Sequence, residues 1–348
     1  MWKSRFCRLI ALQVVGTFGL LTYLHLATTS NERDRETLQK TQKEYDNVDF
    51  GSQVSQAEKV AGLGAHQYLV NTSSSKREPE TLNKTNNTYG DVRLGGKWSP
   101  TGNRNSSSGE KMAILVTFRD REEHLKIFLS RMHPFFQRQG LDYTIYVIEQ
   151  HGEEPRFCKG LLYNVGFTEA LKDDPSYDCF VLHDVDLIPE NDSTPLYTCA
   201  KSPYHLSVAV DKLKYKLPYP GLVGGVLALS TSHYKLLNGY SNLYCGWGAE
   251  DDDLARRMYK HVLRVKRPDR AVARYHMLPH GNHTKNPEKY FLLFNGIRRA
   301  KRDGLSNLHT MNHTVTSITR KALYTHVLVN VTKRNAINTH MKRADVKG

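Results

Sequence analysis

Three short apolar runs alternating with two helical stretches, between Met112 and Leu187, constrain this chain more than any other feature. "MAILVTF" (112–118) and "YDCFVLHDVDL" (177–187) look like buried strands, and "DYTIYVIEQ" (142–150) is β-rich. "REEHLKIFLSRMHPFFQRQG" and "GLLYNVGFTEALKDD" carry apolar residues at helical spacing, and the first ends on a glycine. Strand, helix, strand, helix, strand predicts an α/β domain on a mixed, largely parallel sheet. Ligands of such sheets collect at the carboxyl ends of the strands. That puts "TFRDR" (117–121) and "HDVD" (183–186) on one rim.

The 348 residues leave room for more than this domain. Residues 9–28 form an apolar run behind Lys3, Arg5 and Arg8. About twenty such residues can cross a membrane as a helix, with the basic flank on the cytoplasmic side. A cleaved signal peptide is the rival reading; the length of the run and the absence of an A-x-A-like site favour an uncleaved anchor. The expected order is a cytoplasmic tail (1–8), an anchor (9–28), a flexible glycosylated stem (29–110), a catalytic domain (111–332) and a basic tail (333–348). The stem is polar, without sustained apolar periodicity, and cannot bury enough surface to offset its ordering entropy. N-x-S/T sequons at Asn71, Asn83, Asn86, Asn105, Asn191, Asn282, Asn312 and Asn330 agree with a lumenal location. Beyond the anchor lie only Cys158, Cys179, Cys199 and Cys245, so the domain is held by its core and at most one expected bridge.

The formal charge of +14 invites a nucleic-acid reading. Yet the basic residues are dispersed or gathered near the end, without an aromatic-interleaved groove, and a lumenal protein does not meet nucleic acid. Anionic small molecules, a membrane surface or a solvated face account for the excess.

Chemistry concentrates at three places. Asp184 and Asp186 end an apolar strand one residue apart; two buried anions cost several kcal/mol unless a cation compensates. A divalent metal holding a diphosphate is one reading, and a pair of turn aspartates the other. His276, His280 and His283 cluster further on and could supply an imidazole ligand, although surface histidines are the ordinary explanation. In "LYCGWGAEDDDLARR" a Gly-Trp-Gly turn precedes four acids, Glu250 to Asp253. Helix N-termini favour negative charge, but that explains two acids better than four. An ionised carboxylate taking a proton from an attacking hydroxyl explains the excess.

Together these pieces resemble the β-1,4-galactosyltransferase family over about residues 111–332. "HDVDLIP" matches its Asp-Val-Asp, "GGVLALS" its GGVSAL, and "CGWGAEDDD" its WGWGGEDDD; "HLSVAVDKLKYKLPY" and "RDGLSNL" are similar to further family blocks. The resemblance implies a GT-A-type glycosyltransferase domain in the Golgi lumen, type II and single-pass. It implies Mn²⁺ as cofactor, a UDP-sugar donor and a terminal N-acetylglucosamine acceptor on a glycoprotein or glycolipid.

Carried over residue by residue, the resemblance implies that Thr117, Phe118, Arg119, Arg121, Phe157, Cys158, Lys159, Val185, Asp186, Leu222, Trp247 and His280 meet the nucleotide sugar. Lys159 stands where the family has Arg, which keeps charge but loses the bidentate fork. Asp186, Met277 and His280 would ligate the metal, a set whose thioether favours Mn²⁺ over Mg²⁺. Asp251 falls on the catalytic base, assisted by Glu250. Ala249, Glu250, Asp251, Asp252, Lys289, Tyr290 and Leu293 fall on the acceptor site. Cys179 and Cys199 match a family disulfide; Cys158 and Cys245 match no family pair, and Cys245 replaces a loop Trp.

One departure bears on the donor. In "LPYPGLVGGV", Leu222 stands where galactose-specific members have Tyr. Leu removes a hydroxyl and opens room at the donor's C2 side, so UDP-N-acetylgalactosamine is expected to serve at least as well as UDP-galactose. The rival readings are a strict galactosyltransferase, a catalytically weak carbohydrate-binding membrane protein, and a xylose-directed relative. The intact set Asp186, Met277, His280 and Asp251 argues against the second, and the full "EDDD" with "SVAVDK" against the third.

Overall fold

A computed structural model of the chain describes residue 89 and residues 91–100, 106–199, 202–281 and 284–333. The anchor expected at 9–28, most of the stem and the tail beyond 333 lie outside the described residues. Among those described, no helix is long and apolar enough to cross a membrane.

In chain order the elements are β1 (Lys97–Trp98), β2 (Lys111–Phe118), α1 (Glu122–Arg138), β3 (Asp142–His151), α2 (Lys159–Asp173), β4 (Cys179–Asp184), β5 (Leu187–Pro189), β6 (Tyr204–His205) and β7 (Ala209–Val210). There follow β8 (Val226–Ser230), α3 (Thr231–Leu236), α4 (Glu250–Lys260), β9 (Arg274–Met277), α5 (Lys289–Arg299), β10 (His313–Arg320) and β11 (Thr325–Val331). The main sheet runs β10-β11-β3-β2-β4-β8-β6, and β1 pairs with β3 beside the end of β11.

The strand–helix alternation read from the sequence is present, with one correction to its sheet. Only the central β11, β3, β2 and β4 run parallel; β1, β8, β6 and β10 pair antiparallel. The three apolar runs could reveal the parallel centre, because β2 and β4 are buried on both faces and so lack polar alternation. The flanking strands are short or exposed and carry no such signal.

Two layers of apolar side chains hold the sheet. Leu125, Phe128, Leu129, Met132 and Phe136 of α1 cover one face against Ile114, Val116, Ile145 and Val181. On the other face Leu161, Leu162, Val165 and Phe167 of α2, with Leu254 and Met258 of α4, meet Leu115, Ile148, Phe180 and Leu229. The helical stripes predicted for these segments are therefore core stripes.

Two boundaries move. The folded domain begins before Lys111: β1 pairs with β3, and Gln137 donates to the carbonyl of Tyr89, so the last part of the segment read as stem belongs to the sheet. The run 177–187 is two strands, broken by a turn at Val185 and Asp186. After that turn β5 leaves the main sheet for a three-stranded one, β5-β9-β7. The break matters for the site, since strand alternation no longer relates Asp184 to Asp186.

Candidate active site

The carboxyl ends of β2 and β4 lie side by side, Thr117 opposite Asp184. Arg119 and Arg121 follow the first end, and Asp186 the second. Arg119 donates to the carbonyls of Glu154 and Pro155 at 3.2 and 2.7 Å, and its guanidinium lies 6.0 Å from the Phe157 ring centre. Arg121 donates to Asp186 at 2.8 Å. Phe118 and Val185 are buried among apolar side chains of the α1 face. Cys158 is also withdrawn: fully buried, it is bridged to Cys245.

The small sheet brings the segments carrying Asp186, Met277 and His280 next to one another. Met277 on β9 pairs with Leu187, and Leu278 N–H donates to the Asp186 carbonyl at 2.8 Å. His280 Nε2 lies 3.4 Å from Asp186 Oδ2. Nδ1 of the same ring is 2.8 Å from the Gly281 carbonyl, which can only accept, so Nδ1 donates there and Nε2 is the nitrogen turned toward Asp186. Imidazole and carboxylate thus stand side by side, and Met277 lies on the strand paired with β5, opposite Asp186's neighbour Leu187. Residues of this kind fit a divalent cation with mixed oxygen, nitrogen and sulfur preference. His276 belongs elsewhere, bonded through Nδ1 to Asp211; His283 lies outside the described residues.

The acidic run opens α4, and its members have different partners. Ala249 precedes it at φ 72°, and Gly248 before it at φ 116°. Glu250 is buried and accepts from Gly248 N–H at 3.1 Å. Burial, and then the adjacent Asp251 carboxylate, push Glu250 up to about 7. Asp251 accepts from Lys159 Nζ at 3.2 Å and from the Tyr240 hydroxyl at 2.9 Å. A Cβ on Gly224 would meet the Asp251 carboxylate, so any larger residue where the chain enters β8 would displace that carboxylate. Asp252 accepts from the Tyr219 hydroxyl at 2.8 Å, and its burial raises its pKa. Asp253 faces inward, 1% exposed, bonded to Arg257, Arg299 and Tyr244. The run is therefore a mixture of site groups and one structural anchor.

Lys159 joins the two acidic centres. Its ammonium is 3.1 Å from Asp184 and 3.2 Å from Asp251. Burial alone would lower its pKa, but the two carboxylates outweigh that and hold it well above the usual lysine range. Tyr219, Tyr240 and Gly224 are not among the site residues expected from sequence, and Asp184 is expected only as a partner of Asp186 toward a cation, not as a partner of Lys159. Asp184 and Gly224 lie in motifs that were noticed; the tyrosines read as ordinary core or loop residues.

Trp247 is 54% exposed on a loop fastened at both sides: its N–H bonds Thr284, and its carbonyl accepts from Asn286. Lys289 Nζ stands 5.0 Å from the Trp247 ring centre and 4.7 Å from that of Tyr290. The structure thus brings Trp247, Lys289 and Tyr290 together beside Gly248. Leu293, one turn on, is buried, and its carbonyl accepts from Arg256 at 2.6 Å. Leu222 is half-buried between Tyr219 and Gly224, and Arg267 donates to its carbonyl at 3.0 Å and to that of Pro220 at 2.8 Å.

There are two disulfides rather than the single bridge expected from the cysteine count. Cys179–Cys199 is formed, as the family resemblance implied. Cys158–Cys245 is the addition, joining the start of α2 to the base of the Trp247 loop across a sequence separation of 87. Cross-links over loops of this length stabilise chiefly by restricting the unfolded chain. Replacing both Cys158 and Cys245 by Ala is expected to cost about 2–4 kcal/mol in denaturant unfolding. An unchanged midpoint would show that the bridge does not form in the folded protein.

The parallel strands of the mixed sheet thus bring arginines, aspartates and a lysine to one rim, the side on which ligands of such sheets collect. The family model for the N-terminal region of glycosyl transferase group 7 matches residues 65–200, and that for the N-terminal domain of galactosyltransferase matches residues 204–281. The chain is 43% identical over 240 residues to human β-1,4-galactosyltransferase 1, covering 68% of this chain and 58% of that protein. To human β-1,4-galactosyltransferase 2 it is 38% identical over 239 residues, covering 68% and 62%. The solved catalytic domain of Drosophila β1,4-galactosyltransferase 7, in complex with xylobiose, superposes with TM-score 0.55 at 29% identity, covering 66% of this chain and 97% of that one. This chain belongs to the β-1,4-galactosyltransferase family. It matches about three fifths of the length of these human relatives.

Proposed function

We propose that this protein is an inverting, Mn²⁺-dependent glycosyltransferase. It would move N-acetylgalactosamine or galactose from a UDP-sugar to the 4-hydroxyl of a terminal N-acetylglucosamine. The observation that carries the reading is the single ammonium of Lys159 set between Asp184 and Asp251, which makes the Asp-Val-Asp rim and the acidic helix start one site. Asp251 takes the acceptor proton as the hydroxyl attacks the anomeric carbon. Arg119 and Arg121 hold the nucleotide, while Asp186, Met277 and His280 hold the cation. When bound, the cation neutralises charge on the departing diphosphate. Trp247 covers the donor sugar, and Lys289 and Tyr290 form the acceptor side with Asp252 and Leu293. An anchor at 9–28 would place the domain in the Golgi lumen, in keeping with the apolar run and the sequons.

Two donor readings have separate support. The names of the relatives favour galactose. Leu222 favours N-acetylgalactosamine, because it presents no hydroxyl at a loop whose backbone is fixed by Arg267. Turnover of residues 89–348 with each UDP-sugar, Mn²⁺ and an N-acetylglucosamine acceptor separates them. We expect the N-acetylgalactosamine donor to be preferred, and Leu222→Tyr to move the ratio of kcat/KM values toward galactose by about 10- to 100-fold, as for a pocket altered in size and hydrogen bonding. A ratio unmoved by the substitution would remove Leu222 from donor choice.

A further inference from the structure

We infer that Tyr240 is a positioning residue for Asp251, its hydroxyl and the Lys159 ammonium together fixing the plane of the carboxylate that accepts the proton. The inference rests on Asp251 being the base. Aspartate χ2 is a broad torsion with no sharp rotamer wells, so an aspartate at a helix start does not by itself aim its lone pairs. Here the two oxygens are held separately: Oδ1 accepts from the Tyr240 hydroxyl at 2.9 Å, and Oδ2 accepts from Lys159 Nζ at 3.2 Å. Two donors on two different oxygens leave the carboxylate no free rotation. Each oxygen still has a second acceptor direction for a substrate hydroxyl. Gly224 backs the same carboxylate, where a side chain would collide with it.

Tyr240 is itself immobile. It is 2% exposed, and its ring lies 5.4 Å from that of Tyr163 with 31° between the planes. Its backbone N–H donates to Asn164 at 3.0 Å, and its carbonyl accepts from the same amide at 2.8 Å. Burial, reinforced by the Asp251 charge, keeps the phenol protonated, so in this pair Tyr240 donates and Asp251 accepts. The hydroxyl is the only part of the side chain with this task; the ring's packing survives its removal.

Tyr240→Phe therefore tests the inference with little disturbance to the fold, because it deletes one donor and keeps the ring, and the Asp251 oxygen it releases belongs to a partly exposed carboxylate that water can reach. We expect kcat to fall about 10- to 100-fold, the range for a lost bond to a charged group at a reacting centre. KM for donor and acceptor, UDP affinity and Tm should stay near wild type. Single-turnover rates at high enzyme concentration should show that Tyr240→Phe adds nothing further in an Asp251→Asn background, since groups acting through one another are not additive. Normal kcat in Tyr240→Phe alongside an inactive Asp251→Asn would overturn the inference and leave the base assignment standing. A full additional loss in the double variant would also overturn it, placing Tyr240's effect elsewhere. Normal turnover in Asp251→Asn would remove the base assignment, and the inference with it.

Discussion

Asp251→Asn is expected to lower kcat by about 10²- to 10⁴-fold, the usual share of a positioned general base. Asparagine keeps the shape of the side chain, and its carbonyl can still accept one of the two hydrogen bonds now supplied by Tyr240 and Lys159. It cannot take a proton. Lys159 loses one anionic partner but keeps Asp184 at 3.1 Å, so its charge remains compensated. The residues expected to hold the nucleotide, Arg119, Arg121 and Asp186, are untouched. UDP affinity in the presence of Mn²⁺, measured by calorimetry, should accordingly change by no more than about twofold, the pattern of an interaction made only in the transition state. Near-normal turnover would assign the proton to another group. Glu250 would then be the next candidate, because its burial, which does not depend on Asp251, raises it above the usual carboxylate range.

The sequence disclosed the centre of this fold better than its margins, for a physical reason. Strands buried on both faces must be continuously apolar, so "MAILVTF" and "CFVLHD" announce themselves; helices lying on them must repeat every three to four residues. β11 pairs parallel to β3 although the two are far apart in the chain, and no local pattern encodes a distant partner. The same holds for Cys158 and Cys245, whose connectivity composition cannot give. At the site, motif spacing located the acids but not their tasks. Residues at successive helix positions point about 100° apart, so neighbours in "EDDD" necessarily meet different surroundings. Which of them faces the cleft depends on where α4 docks, and α4 is docked by Leu254 and Met258. Tyr240 had no signal at all: a tyrosine in a turn reads as core, and its hydroxyl acquires meaning only from a carboxylate eleven positions later.

The last acid of the run carries the opposite prediction to the second. Asp253 is 1% exposed and lies between Arg257 Nε at 2.8 Å and Arg299 at 3.4 Å, with the Tyr244 hydroxyl at 3.1 Å. Arg257 is equally buried, and Asp303 completes the group by pairing with Arg299 at 2.9 Å. This cluster fastens α4 to α5, which carries Lys289 and Tyr290; a Cβ on Gly296 of α5 would strike the Asp253 carboxylate, so the two helices are in close contact there. Asp253→Ala removes one of the two carboxylates facing two guanidinium groups and opens a void between the helices. Breaking a buried pair by deleting one partner costs about 3–5 kcal/mol, because the remaining charge stays buried without compensation. For a domain of this size that corresponds to a Tm lower by about 6–20 °C. Asp251→Asn should leave Tm near wild type, since Asp251 sits at the open edge of the same helix and its loss strands no buried cation. Calorimetric scans of both variants separate the two tasks. If Asp253→Ala melted with the wild type while losing activity, Asp253 would be a site residue and the division of labour along α4 would have to be redrawn.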